Sequence, residues 1–133
     1  MVRRIEALAD AIARLNQAWT PEADAYQLRN PLLIKSFARP GKHETDDKGR
    51  RIFESFLSGY KASLFDLDLK LRGKSRAGLT TESTLENLLG VYGIDSIAAT
   101  DNIVAFVRRA LKDQSITKRT SVTFFVEKES SHA

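Results

Sequence analysis

Cysteine is absent from the 133 residues. That excludes disulfide stapling and thiolate metal sites and leaves the compartment open. Histidine occurs only at His43 and His132, far apart in the chain. Imidazole ligands are therefore too few for a zinc centre, and neither a metal nor a cofactor is expected. No apolar run reaches about 18 residues, so no membrane span is expected. The basic start Met1-Val2-Arg3-Arg4 is followed by Glu6, Asp10, Arg14 and Asn16, which interrupt a signal-peptide core. The expectation is synthesis in the cytoplasm without a signal peptide. There is no internal repeat, no dividing linker and no glycine-rich phosphate loop: Gly73-Lys74-Ser75 lacks the preceding glycine spacing and reads as a helix end.

What is present is the composition of an ordinary globular chain, 42% hydrophobic and 29% charged. The length suits one domain with one core. A net charge of +4 and a pI near 9.5 favour polyanions, nucleic acid and acidic cell-wall polymer alike, without choosing between them.

The strongest periodicity covers residues 5–19. Ile5, Leu8, Ile12, Leu15 and Trp19 recur at helical spacing among Ala7, Ala9, Ala11 and Ala13. Thr20-Pro21 stops this helix and starts a short one over 21–26. Residues 29–50 read as irregular, punctuated by Pro31, Pro40, Gly41 and Gly49. Ile52, Phe53 and Phe56 are open to two readings, the start of a helix or a short strand over 51–55. The strand is preferred, with Ser58 capping the next helix, because Gly59 would weaken a helix interior. Tyr60, Leu64, Leu67 and Leu71 then form an apolar stripe, and Gly73 ends the helix in a left-handed cap.

Ser83 and Glu86 match a capping box for a helix carrying Leu85, Leu88, Leu89 and Tyr92, closed by Gly93. A last helix is expected from about Thr100-Asp101, with Arg108, Arg109 and Lys112 near its C-terminal end. Residues 121–126 alternate as an extended segment, and 128–133 read as a disordered tail. The predicted architecture is mainly α, with one or two very short strands, in one domain over residues 1–127.

The order of several motifs resembles that of the small lysozyme-like, muramidase-type domains of bacteriophage virions and prophages. These are the Trp19-Thr20-Pro21 step, Tyr26, Arg29-Asn30-Pro31 and Ile34-Lys35. They are followed by Gly49, Phe53, Phe56 and Gly59 entering a long helix, then Gly73-Lys74-Ser75 and Thr84-Leu85-Glu86-Asn87-Leu88-Leu89. The resemblance covers about residues 5–127. It implies a lysozyme-like helical fold, a peptidoglycan-type glycan as partner, and virion association with phage structural proteins.

Two departures bear on chemistry. The family's glutamate falls on Gln17 and its glycine on Ala18, and after Asn30-Pro31 the family's Gly and Asn are replaced by Leu32 and Leu33. Glycoside cleavage needs a protonated carboxyl beside the leaving oxygen, and an amide has no such proton to give. The resemblance therefore implies a cleft that holds sugar through Gln17, Trp19, Tyr26 and Asn30, with catalysis weakened or lost. Tyr60 is a further aromatic that could stack on sugar. If cleavage survives, another carboxylate must stand in, with Glu44 ranked first and Glu22 second; Asp46, Asp47 and Glu54 are the remaining acids nearby.

A helix-turn-helix-like nucleic-acid reading over 84–112 ranks behind. Its basic residues come late on the second helix, and the stretch from Gly93 to Thr100 is long for the turn.

Overall fold

The computed structural model describes residues 3–35, 43–75 and 77–126. The chain is mainly helical. Among the described residues it holds α1 (Arg4–Leu15), α2 (Asp24–Gln27), α3 (Phe56–Leu71), α4 (Leu85–Val91), α5 (Ile97–Leu111) and a 3₁₀-helix (Val122–Phe125). These residues form no sheet. Isolated antiparallel bridges join Lys35 to Arg50, Thr45 to Arg51 and Thr84 to Ser121.

α1 is the central element. It packs against α5, α3 and the 3₁₀-helix, and its alanines are buried along with Leu8 and Ile12. Small side chains on several sides let three neighbours approach one helix closely. Leu67 and Leu71 from α3, Leu85, Leu88 and Leu89 from α4, Ile103 and Val107 from α5, and Phe125 complete a continuous core.

The strand predicted over 51–55 is reduced to the isolated bridge of Arg51 with Thr45, and α3 begins at Phe56, capped by Ser55 and not by Ser58. Ser55 caps α3, its hydroxyl accepting from Ser58 N–H at 3.1 Å. Gly59 therefore lies inside the helix, for a packing reason. A Cβ there would sit 1.7 Å from the Arg29 carbonyl oxygen, so only glycine admits the approach. The inner row of α3 runs Gly59, Ser63, Leu67, Leu71. Its small end meets the loop after α2 and its large end fills the core.

α4 is capped one residue later than predicted. Thr84 Oγ1 accepts from Asn87 N–H at 3.2 Å, and Asn87 Oδ1 accepts from Thr84 N–H at 2.9 Å. Ser83 and Glu86 are engaged elsewhere. The Ser83 hydroxyl accepts from Thr80 N–H, its carbonyl accepts from Val122 N–H, and Glu86 N–H donates to Lys118 C=O. α5 begins at Ile97 under a Ser96 cap, earlier than Thr100. This shortens the connection from α4 to residues 92–96, still slightly longer than the usual helix-turn-helix turn.

The extended segment expected at 121–126 is instead the 3₁₀-helix, whose Val122 and Phe125 are both buried. That burial follows a step of three, which simple alternation does not describe. Gly73 at φ +71° and Gly93 at φ +79° take the left-handed conformation expected of them. The C-terminal tail 128–133 and the flanking residue 127 lie outside the described residues, as does part of the 29–50 loop.

Candidate functional site: an aromatic ledge and hollow

The turn after α1 sets the site. Gln17 adopts φ +57°, its N–H donating to Arg14 C=O at 3.0 Å and its carbonyl accepting from Thr20 N–H at 2.9 Å. This left-handed step ends the helical rotation. Ala18 turns into the core, while Gln17 and Trp19 face solvent. The expected helix over 5–19 thus closes at Leu15, and Trp19 leaves the buried stripe with 54% of its surface exposed.

Trp19 does not stand alone. Its ring lies 5.9 Å from Phe56, which stacks on Tyr60 at 6.2 Å. Phe56 and Tyr60 are one turn apart at the start of α3, so they share a helix face. Phe56 also joins Tyr26, Gln27 and Arg29 around an open hollow of about 360 Å³. Tyr26 is 47% exposed. The result is a ledge of ring faces bordered by a basic and amide rim. Isolated exposed aromatics are common, but several in contact beside a concavity suit flat, partly apolar ligands such as sugars.

Asn30 has a different place. It is fully buried. Its Nδ2 donates to Ile34 C=O and Arg51 C=O, each at 2.9 Å, and its Oδ1 accepts from Ile34 N–H at 3.0 Å. The amide staples the two segments that meet at the Lys35–Arg50 bridge, and no face of it reaches the hollow's solvent. The structure gives it an architectural role, holding the loop beneath the ledge.

The two acids ranked as stand-ins are both on the surface. Glu22 lies in the turn before α2, and Glu44 lies in the loop whose far side is Arg51 and Ile52, with its carbonyl accepting from Ile52 N–H. Asp46 is bound up in that loop. Its carboxylate accepts from Lys48 N–H and Arg50 N–H and pairs with the Arg50 guanidinium, which also reaches Asp24 on α2 at 2.9 Å. Partial burial pushes the Asp46 carboxyl up, but the Arg50 and backbone donors outweigh that and hold it below the usual range. It is not a proton donor.

Asp10 is the opposite case, an acid not among the candidate site residues read from the sequence. It is half-buried between α1 and α3 and accepts from Tyr60 Oη at 2.9 Å. Burial raises its carboxyl above the ordinary value, Glu6 adds to the rise, and the tyrosine bond and Arg14 oppose it. Burial likewise raises the Tyr60 phenol, with the Asp10 contact adding to it. A carboxyl that resists ionisation thus lies behind the inner end of the ledge.

Phe56 and Arg29 were also missed as site residues, although both stand in the segments that carry the motif resemblance. The sequence signal for Phe56 was its place in the Gly49, Phe53, Phe56, Gly59 order leading into the long helix.

Among the described residues no helix is long and apolar enough to cross a membrane, and no group of three or more His, Asp or Glu is placed to hold a metal. No protein-family model, curated protein or solved structure matches the chain.

Proposed function

We propose that this chain is a lysozyme-like module that binds peptidoglycan-type glycan and has lost muramidase chemistry at Gln17. The observation that carries the reading is the contiguous ledge of Trp19, Phe56 and Tyr60, set beside the Tyr26–Arg29 hollow. Gln17 is exposed in the same turn as Trp19. It keeps donors and an acceptor for sugar hydroxyls and cannot give a leaving group its proton.

The test has two arms. Binding of purified peptidoglycan by the parent chain should weaken by about tenfold in Trp19→Ala, the order of one lost ring contact. Turbidity of the same walls should stay constant with the parent and fall only with Gln17→Glu. Clearing by the parent would overturn the loss of catalysis. Failure to bind glycan at all, with retention on DNA that declines steeply with salt, would favour the nucleic-acid reading instead.

One observation favours a second reading, in which cleavage survives. Asp10 is half-buried and burial raises its carboxyl above the ordinary value, the direction a general acid needs, whereas the exposed Glu44 and Glu22 do not share its burial. In that case Asp10→Asn would abolish clearing by the parent chain.

A further inference from the structure

We infer that Arg29 is a specificity-determining residue of the hollow, and that it selects sugars carrying a carboxylate over neutral ones. The inference rests on the glycan-binding reading above and names the ligand chemistry within it.

Arg29 lines the hollow with Tyr26, Gln27 and Phe56, and its side chain is exposed there. The neighbouring arginines are otherwise engaged. Arg50 is paired with Asp24 and Asp46. The Arg51 guanidinium lies over the Phe53 ring, 4.5 Å from its centroid. Arg29 makes one long donation, to Phe53 C=O at 3.4 Å, and no ion pair among the described residues. A guanidinium with most of its planar fork unused, beside two aromatic faces, is shaped for a carboxylate attached to a ring.

The backbone holds this arginine in place. Arg29 adopts φ +52°, a conformation that L residues rarely take. Its N–H donates to Tyr26 C=O at 3.0 Å, and the next N–H, of Asn30, donates to Ala25 C=O at 2.9 Å. Its own carbonyl lies where a Cβ on Gly59 would have to go. Hydrogen bonds from one side and the α3 backbone from the other fix the backbone of Arg29 at the wall of the hollow. A left-handed non-glycine residue persists only where its surroundings over-determine it, and such residues concentrate at ligand clamps.

Two sugar types share the required chemistry: a muramyl residue with its lactyl carboxylate, and a uronate with its ring carboxylate. Trp19 is the chain's one tryptophan and sits at the ledge, so its fluorescence reports binding directly. The probes are peptidoglycan glycan strands freed of stem peptide, the same strands with carboxylates reduced to alcohols, oligouronate, and neutral chitooligosaccharide.

For the parent, one carboxylate-bearing probe should bind about tenfold tighter than its uncharged counterpart, the order of one charge-assisted contact at a partly exposed site. Arg29→Gln should collapse that gap, bringing charged and neutral probes to within about twofold of each other. Arg29→Lys, which keeps charge without the fork, should restore part of it. Preference for native strands over reduced ones identifies the muramyl source, and preference for oligouronate identifies the other; either supports the inference. Equal affinity for charged and neutral probes, or a gap that survives Arg29→Gln with circular dichroism unchanged, overturns it while leaving glycan binding standing. Binding to none of the probes sinks both.

Discussion

Replacing Gly59 by alanine tests the packing on which the site depends. On helix propensity alone the change should stabilise α3 by about 1 kcal/mol. The structure predicts the reverse. The new Cβ would lie 1.7 Å from the Arg29 carbonyl oxygen and 2.9 Å from its carbon. Contact distance is roughly 1.5–2 Å farther out, and the obstacle is backbone, which cannot rotate away. α3 and the loop after α2 must therefore separate. Overpacking of a tight contact costs about 1–3 kcal/mol, and more where backbone is involved. Separation also strains the Phe53 N–H bond to Leu28 C=O, now 3.0 Å, for about 1 kcal/mol more.

Set against the propensity gain, the expected net loss is about 1–3 kcal/mol, or a urea midpoint lowered by about 0.5–2 M. Gly90→Ala is the matched control. It too lies in a helix, but a Cβ there meets nothing within 4 Å, so it should be stabilising by about 0.5–1 kcal/mol. If Gly59→Ala proved as stable as Gly90→Ala, the close approach of α3 to Arg29, and the placement of the hollow with it, would be refuted.

Asn30→Ala should destabilise by about 2–3 kcal/mol by thermal or urea denaturation, because it leaves Ile34 N–H and Arg51 C=O without this partner and removes one of the two donors to Ile34 C=O, the other being Arg51 N–H. A loss under about 1 kcal/mol would mean that the staple is not formed. Asp10 makes a pH prediction with a definite sign. Its folded carboxyl titrates above the unfolded one, so the native state holds the proton more tightly. Its contribution is fully present below the unfolded value near 3.8 and is lost as pH rises through the raised folded value. Asp10→Asn keeps an oxygen for Tyr60 and does not titrate. Its stability relative to the parent should therefore rise across that window and level off above it, as read from urea midpoints measured from about pH 3 to pH 7. A flat difference would show that the carboxyl is not shifted.

The amino-acid pattern determined the helices by itself, because helix signals are local. Apolar recurrence along α1, the glycines at 73 and 93, and the serine or threonine before α3, α4 and α5 lie within one or two turns of chain, although the caps fall at Ser55, Thr84 and Ser96, a few residues from those first read. Where two local signals competed, only the third dimension chose between them. Ser83-Glu86 and Thr84-Asn87 both spell a cap, and the loop at 118–122 took Ser83 and Glu86 for its own hydrogen bonds. Gly59 read as a weak point in a helix until the Arg29 carbonyl opposite it came into view.

The site divides in the same way. Gln17 and Trp19 stood out as residue types in a motif. Their outward turn came from a left-handed step at Gln17, which no periodicity encodes. Asn30 had the chemistry of a binding residue and became a buried staple, since its amide ties nearby Ile34 to Arg51, twenty-one positions on. The aromatic ledge joins residues nearly forty positions apart, and Asp10 owes its raised carboxyl to burial where α1 meets α3, with the bond from Tyr60, fifty positions away, opposing the rise. Backbone preference is written residue by residue. Burial, ring contact and charge pairing depend on which segments meet, and that was decided by packing around α1.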